Sequence, residues 1–159
     1  MEHLLDDQYR CSRKIKEKSL KALIDEYIKR ISAYSKIEII EVNDEPNDKL
    51  EDDKVKALEG ERILKQIKKD SYVILLSLQG KQLDSIEFAK TLDKINTYNS
   101  SHITFVIGGS LGVSNEVEKR ADYLLNLSKM TFPHNIARLI ILEQIYRAYK
   151  INNNETYHK

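Results

Sequence analysis

Apolar residues recur along the chain with two different spacings, and the two patterns alternate. Side chains repeated every three or four residues predict amphipathic helices at Glu17–Ser32, at Leu50–Lys68 and in a third segment that runs to about Tyr98. Asp84 and Glu87, which open that third segment, have the spacing of a capping box. Short runs rich in apolar residues predict strands at Ile37–Val42, Tyr72–Leu78, Ile103–Ile107 and Tyr123–Leu127, and the nearly unbroken run at Ile103–Ile107 is typical of a buried parallel strand.

The last third of the chain has the densest pattern. The strand Ile103–Ile107 ends in Gly108 and Gly109, which allow backbone conformations and a close approach that side chains would block. The elements that follow are a short helix at Asn115–Lys119, the strand Tyr123–Leu127, the loop Ser128–Pro133 and a long helix to about Lys150.

The long closing helix carries apolar side chains over much of its circumference. They include Ile136, Leu139, Ile140, Ile145 and Tyr149. One side of a single sheet does not require so many, so we expect the surplus to be buried against a second copy of the chain.

Strands that alternate with helices predict an α/β fold with a mainly parallel sheet and helices on both faces. A length of 159 residues with 41% hydrophobic content fits a single domain, residues 1–159. Ligands of such sheets bind beyond the carboxyl ends of the strands. Those ends lie at Leu76–Gly80, Ile107–Gly112 and Leu127–Phe132, so we expect their loops to frame one crevice.

Composition narrows the class of protein. The formal net charge of +1 argues against binding naked nucleic acid by charge alone, although a local basic face can still contact RNA. A single cysteine, Cys11, excludes an intramolecular disulfide framework, and no metal-ligand spacing is present. No apolar run is long enough to cross a bilayer, and the N-terminus does not have the shape of a signal peptide. We therefore expect a soluble cytoplasmic protein without a metal.

Several segments carry a family resemblance. FVIGGSLGVS, LSKMTFPHNIARLIILEQIYRAYKI and the terminal TYHK are similar to the ribosomal large subunit pseudouridine N3-methyltransferase family, RlmH, of the SPOUT superfamily. The match continues upstream through LSLQGKQLDSIEFA and KIKEKSLKALIDEYIKRIS, and it covers roughly residues 14–159. Such breadth makes the resemblance far more specific than any one motif.

The resemblance implies a particular fold and cofactor. In this superfamily the C-terminal segment threads through a loop to make a deep trefoil knot, a topology that sequence reasoning alone would reject as rare. The knot loops of the family bind S-adenosyl-L-methionine. The matching cofactor-binding residues here are Leu76, Gly108, Gly109, Leu127, Ser128, Lys129, Met130, Thr131 and Phe132.

The resemblance also implies a reaction and partners. The family methylates N3 of a pseudouridine in helix 69 of 23S rRNA on the assembled ribosome, as a homodimer in which one subunit's tail approaches the other's pocket. Because N3 is a weakly acidic imide nitrogen, its proton must be removed for transfer. Arg147, Tyr157 and His158 are the catalytic candidates, either for gripping RNA phosphate or for handling that proton. No residue is assigned as the base, because positioning can supply most of the acceleration.

Residues 1–13 depart from the family pattern. The family opens with a buried hydrophobic strand and a Val-Gly-Lys turn, but Glu2, Asp6, Asp7 and Arg10 interrupt any apolar alternation, and Ser12 and Arg13 replace the Val-Gly pair. Charged residues are costly on a strand that helices cover on both faces. We therefore expect residues 1–12 not to form a central paired strand, with disorder as one alternative.

Plainer interpretations of the same residues stay open. Gly108, Gly109 and Ser110 also fit a tight strand-to-helix turn, and Ser128–Pro133 also fits an ordinary loop before a helix. His134 is expected to be a polar residue at a helix start, and the terminal residues would ordinarily fray. At the level of function, the alternatives are a non-catalytic nucleotide- or ribosome-binding module and a degenerate, inactive copy of the methyltransferase.

Overall fold

The computed structural model describes residues 18–41, 51–108 and 111–158. The expectation for residues 1–13 and the candidate Gly109 therefore lie outside the described residues. Helix α1 covers residues 18–32. The elements after it are β1 (Ile37–Glu41), α2 (Asp52–Gln66), β2 (Tyr72–Lys81), α3 (Ser85–Tyr98), β3 (Ile103–Ile107), α4 (Asn115–Arg120), β4 (Tyr123–Leu125) and α5 (His134–Asn152).

The four described strands form one parallel sheet in the order β1-β3-β2-β4. Ile103 of β3 lies opposite both Ile37 of β1 and Tyr72 of β2, and Ile74 of β2 lies opposite Tyr123 of β4. Helices connect the strands, since parallel neighbours need long crossovers. The predicted α/β fold with a mainly parallel sheet is confirmed.

Alternating side chains of the strands pack on both faces of the sheet. Ile74 and Phe105 face the side covered by α1, α3 and α5. Val73, Leu75 and Val106 face the other side, where Ile63 of α2 and Val117 of α4 cover them. Burial on two faces explains why the sequences of β2 and β3 are nearly continuous runs of apolar residues. The capping box is also present, because Asp84 accepts from Glu87 N at 2.7 Å and Glu87 accepts from Asp84 N at 2.9 Å.

Several predicted boundaries are wrong. The second helix begins at Asp52 and ends at Gln66, because Glu51 and Ile67 are extended. β2 does not end at Leu78 but continues to Lys81, since both Leu76 and Lys81 pair with Leu125. β4 ends at Leu125, and the next residue, Asn126, uses its side chain to bond Leu78 O of β2 and Ser128 N of the following loop.

The surplus apolar surface expected on α5 is smaller than the sequence suggests. Ile145 and Tyr149 are buried in the core of their own chain. Leu139 and Ile140 are half-buried, and only Ile136 is exposed. The helix is apolar on most sides because α1, α3 and the sheet surround it. The apolar surface that stays exposed is at Ile136, near the N-terminal end of the helix.

The segment after Leu76 crosses very close to β4. A Cβ placed on Gly80 would lie 2.6 Å from the carbonyl carbon and oxygen of Leu124 and 2.7 Å from the carbonyl carbon of Leu125. Asn126 N then donates to Lys81 O at 3.0 Å. Residues 77–81 therefore wrap around the end of β4 with backbone against backbone, and only glycine fits at the point of contact.

Replacing Gly80 by alanine should destabilise the fold by on the order of 1–3 kcal/mol, because backbone atoms cannot move aside as a flexible side chain would. Urea denaturation followed by circular dichroism measures the change, with the exposed neighbour Gln79→Ala as the matched control. A Gly80→Ala protein as stable as this control would contradict the close crossing.

Candidate functional site

A cleft of about 810 Å³ opens beyond the carboxyl ends of β2, β3 and β4. Its walls come from three separate stretches of chain: the end of β2, the segment after β3 and the loop between β4 and α5. The lining residues at the centre of these stretches are Leu76, Ser77, Gly108, Val113, Leu127 and Thr131. The predicted convergence of three strand ends on one crevice is confirmed.

Most sequence-predicted cofactor residues line this cleft. They are Leu76, Gly108, Leu127, Ser128, Met130, Thr131 and Phe132. Lys129 belongs to the same loop, but its exposed side chain does not line the cleft. His134 begins α5, as expected, and it also lines the cleft, a position that sequence reasoning did not anticipate.

The cleft is mainly apolar and carries few charges. Among the described residues that line it, the titratable side chains are Glu118 and His134. Apolar walls with a few polar groups are typical of sites for small molecules and cofactors, and the volume lies within the usual range for them. Polar recognition must then come largely from backbone groups of the loops and from hydroxyls such as Ser128 and Thr131.

Asn126 ties two walls of the cleft together. Its side-chain nitrogen donates to Leu78 O at 3.2 Å, and its side-chain oxygen accepts from Ser128 N at 3.1 Å. The residue is buried, with 7% of its surface exposed. One side chain therefore fixes the loop after β4 against the C-terminal part of β2, which holds the cleft in shape.

The three catalytic candidates meet around one carboxylate on α5. Glu143 accepts from Arg147 Nη2 at 2.7 Å and Nε at 3.1 Å, and from the Tyr157 hydroxyl at 3.3 Å. Arg147 Nη1 lies 3.3 Å from His158 Nδ1, and its guanidinium lies 4.8 Å from the centre of the Tyr157 ring. The tail residues are therefore packed against α5 and are not frayed.

The protonation states in this cluster favour binding over proton removal. Burial raises the pKa of Tyr157 to about 12, and a hydrogen bond to Tyr27 and the charge of Glu143 act in the same direction. The hydrogen bond with Glu143 raises the pKa of the Arg147 guanidinium. At neutral pH the Tyr157 hydroxyl is protonated and Arg147 is charged, so both groups donate hydrogen bonds.

The cluster and the cleft lie apart within one chain. None of Glu143, Arg147, Tyr157 and His158 lines the cleft. Ala137 of α5 does line it, and Arg147 follows almost three helical turns later, about 15 Å along the axis at 1.5 Å per residue. A reaction that uses both centres therefore cannot rely on the cleft and the cluster of one and the same chain as they are placed here.

The opposite end of the sheet has a structural cluster. Lys68 Nζ lies 2.8 Å from Glu38 and 3.0 Å from His102 Nε2, and the hydrogen bond with Lys68 lowers the pKa of Glu38. Two potential ligands are too few for a metal site, and no group of three or more occurs within residues 18–41, 51–108 and 111–158. Over the same ranges, no helix has the length and apolar character needed to span a bilayer.

Comparison with known proteins gives consistent matches over most of the chain. The family model described as "Predicted SPOUT methyltransferase" matches residues 9–158. A protein of Exiguobacterium sp. named "Ribosomal RNA large subunit methyltransferase H" is 57% identical over 150 residues, which is 92% of this chain and 94% of the relative. Proteins of the same name from Ruminiclostridium cellulolyticum and Bacillus thuringiensis are each 53% identical over the same shares.

Two residues of the site were missed in the sequence. Glu143 stands four residues before Arg147 on α5, which is the spacing of a helical ion pair and a signal that was available. Asn126 follows an apolar strand, where an amide side chain resembles an ordinary loop residue. Its role depends on the wrap of residues 77–81, which no local pattern reveals.

Replacing Asn126 by leucine should cost about 1–3 kcal/mol of unfolding stability, because Leu78 O and Ser128 N lose their buried partner. Hydrogen exchange should quicken at the Ser128 amide, and urea denaturation reports the stability. The exposed Asn135→Leu serves as the matched control. Unchanged exchange at Ser128 would show that Asn126 does not hold the loop.

Proposed function

Since the chain belongs to the SPOUT methyltransferase family, within the group named ribosomal RNA large subunit methyltransferase H, we propose that it methylates N3 of a pseudouridine in helix 69 of 23S rRNA. The methyl donor is S-adenosyl-L-methionine, and the substrate is the assembled ribosome in the cytoplasm. The observation that carries the proposal is that Gly108, at the end of β3, and the loop after β4 line the same cleft.

The residues of the cleft fit such a cofactor. Leu76 and Leu127 offer apolar walls for the adenine ring, while the loop that holds Ser128 and Thr131 offers hydroxyls and backbone groups for polar atoms. Glu118 at the edge supplies a negative charge compatible with a cationic ligand. When bound, the cofactor supplies an electrophilic methyl group on a sulfonium.

The chain's own residues then bind and orient the RNA. Arg147 is charged, and a guanidinium suits phosphate recognition. Tyr157 is protonated at neutral pH, so it is not the group that removes the N3 proton. It donates a hydrogen bond to RNA when its hydroxyl turns from Glu143 to the substrate. Holding the N3 lone pair in line with the methyl group contributes most of the acceleration, and no base is assigned.

The working unit is a homodimer whose sites are completed by the partner's tail. Apolar side chains are exposed around the mouth of the cleft, with Leu78 at 60% and Met130 at 74%, and Leu111 and Ile136 lie nearby. Such a patch is favourable to bury against a symmetric copy. Dimerisation also supplies a route by which Tyr157 and His158 reach a cleft that is distant in their own chain.

The overall charge suits a structured substrate. A net charge of +1 gives little long-range attraction to RNA, so free RNA should bind weakly. An assembled ribosome offers a defined shape and protein surface for docking, which charge alone does not provide.

The function is tested with ribosomes from cells that lack this methylation. Purified protein and isotope-labelled S-adenosyl-L-methionine are added to intact ribosomes and to naked 23S rRNA, and the helix 69 fragment is analysed by mass spectrometry. We expect one methyl group on N3 of a pseudouridine, on ribosomes in preference to naked RNA. Tight cofactor binding without transfer would instead support a non-catalytic binding module.

The cofactor site is tested at Gly108, where an added Cβ would lie 2.6 Å from Val113 Cγ1. Gly108→Ala should weaken calorimetric binding of S-adenosyl-L-methionine by about ten-fold or more, because the methyl group occupies the space of the ligand and displaces Val113. Val113→Ala in the same background relieves the clash within the protein. Affinity that returns fully in the double variant would mean that Gly108 serves loop packing and not ligand contact.

The composite site is tested by mixing two inactive variants, one with the bulkier substitution Gly108→Val and one that lacks residues 157–159. A mixed dimer combines one intact cleft with one intact partner tail. Random exchange of subunits should therefore restore about a quarter of the wild-type sites, since half of the dimers are mixed and each has one complete site. Native mass spectrometry checks the exchange, and exchanged dimers that remain inactive would contradict the arrangement.

A further inference from the structure

The chain turns back on itself after α5. Asn153 caps the helix, and Asn154 takes a left-handed conformation with φ of 54°, which reverses the direction of the backbone. Glu155 N then donates to Lys150 O at 2.9 Å. The last described residues therefore run back along the final turns of α5.

Glu155 is the point at which the returning tail meets two helices. Both of its carboxylate oxygens accept from the Tyr34 hydroxyl, at 3.1 and 3.2 Å, and one also forms an ion pair with Lys150 Nζ. Tyr34 follows α1 and stacks on Tyr149 of α5 with ring centres 5.6 Å apart and planes 9° from parallel. Glu155 thus bonds to groups that are themselves fixed by packing.

Tyr157 and His158, the tail residues proposed to contact RNA, come two and three positions after Glu155. Tyr157 meets the ring of Tyr146 edge to face at 4.9 Å and approaches Glu143 through its hydroxyl. His158 meets Arg147 at 3.3 Å. Thr156, between Glu155 and Tyr157, is exposed, so the anchor before these two side chains is Glu155.

We propose that Glu155 is a positioning residue, which through Tyr34 and Lys150 fixes the path of the tail and so places Tyr157 and His158 for the reaction. This inference rests on the proposed function, because it assigns a purpose to the placement of the tail. It also gives α1 a part in the site, since Tyr34 belongs to the turn that ends that helix.

Several features single out this carboxylate. A chain terminus frays unless something holds it, and the Glu155 side chain adds bonds to Tyr34 and Lys150 beyond the backbone bonds of the turn at Asn154. The hydrogen bond with Lys150, then that with Tyr34, lowers the pKa of Glu155, so the group is ionised at neutral pH. A depressed pKa contributes stability above the usual value of 4.5, and this contribution is lost as pH falls through the lowered value.

The test compares Glu155→Ala and Glu155→Gln with the matched control Glu61→Ala, an exposed carboxylate on α2. Carboxypeptidase digestion of the full-length protein measures how readily the tail leaves α5. Methylation of ribosomes gives kcat and KM, and calorimetry gives the affinity for S-adenosyl-L-methionine. The reversed pair Glu155→Lys with Lys150→Glu serves as a rescue variant.

We expect Glu155→Ala to speed release of the C-terminal residues by about ten-fold and to lower kcat/KM by a similar factor, with cofactor affinity unchanged. Glu155→Gln keeps an acceptor for Tyr34, so its rate of tail release and its kcat/KM should lie between those of wild type and Glu155→Ala. The reversed pair should recover part of the tail anchoring and part of kcat/KM. The control should behave as wild type in every assay.

Each contrary result has a distinct meaning. Tail release at the wild-type rate in Glu155→Ala would overturn the anchoring role. Faster release with unchanged kcat/KM would overturn the claim that this anchoring serves the reaction. Were the wild-type protein to methylate no ribosomal RNA, the proposed function would fall, and the digestion assay would still decide whether Glu155 holds the tail.

Discussion

The cleft depends on one close approach of backbone to backbone. Residues 77–81 cross the end of β4 so tightly that a methyl group at Gly80 would overlap Leu124. This crossing brings Leu78 beside Asn126, and Asn126 in turn fixes the amide of Ser128. The shape of the cleft therefore depends on the crossing of β2 over β4 and on the bonds of Asn126. The trefoil knot that the SPOUT fold implies is consistent with so intimate a crossing.

A second centre lies on α5 and is built differently. Glu143 accepts hydrogen bonds from the charged Arg147 guanidinium and from the neutral Tyr157 hydroxyl. Aromatic packing of Tyr157 on Tyr146 holds the tail against the helix. The cleft is mainly apolar, whereas this centre is polar and joins side chains of α5 to the tail residues Tyr157 and His158. The separation of the two centres within one chain is the reason for proposing an active site that is shared between two subunits.

Much of the fold could be predicted because it follows from local pattern. The nearly unbroken apolar runs at Ile103–Ile107 and around Val73 reflect burial on both faces, and the capping box at Asp84 marks the start of α3. The strand end at Lys81 could not be predicted, because its partner Leu125 lies far along the chain. The participation of Tyr157 and His158 in the site was predicted from the family resemblance alone, since nothing in the local sequence distinguishes them from a frayed end. Glu143 was predictable from its spacing to Arg147, while Asn126 acquires its role only from the crossing.

The most direct measurement is a crystal structure of the protein with S-adenosyl-L-methionine bound. We expect the adenosine between Leu76 and Leu127, the backbone of Gly108 against the ligand, and a second subunit whose tail lies at the mouth of the cleft. A ligand bound elsewhere, or a cleft closed by the subunit's own tail with no partner present, would contradict this arrangement.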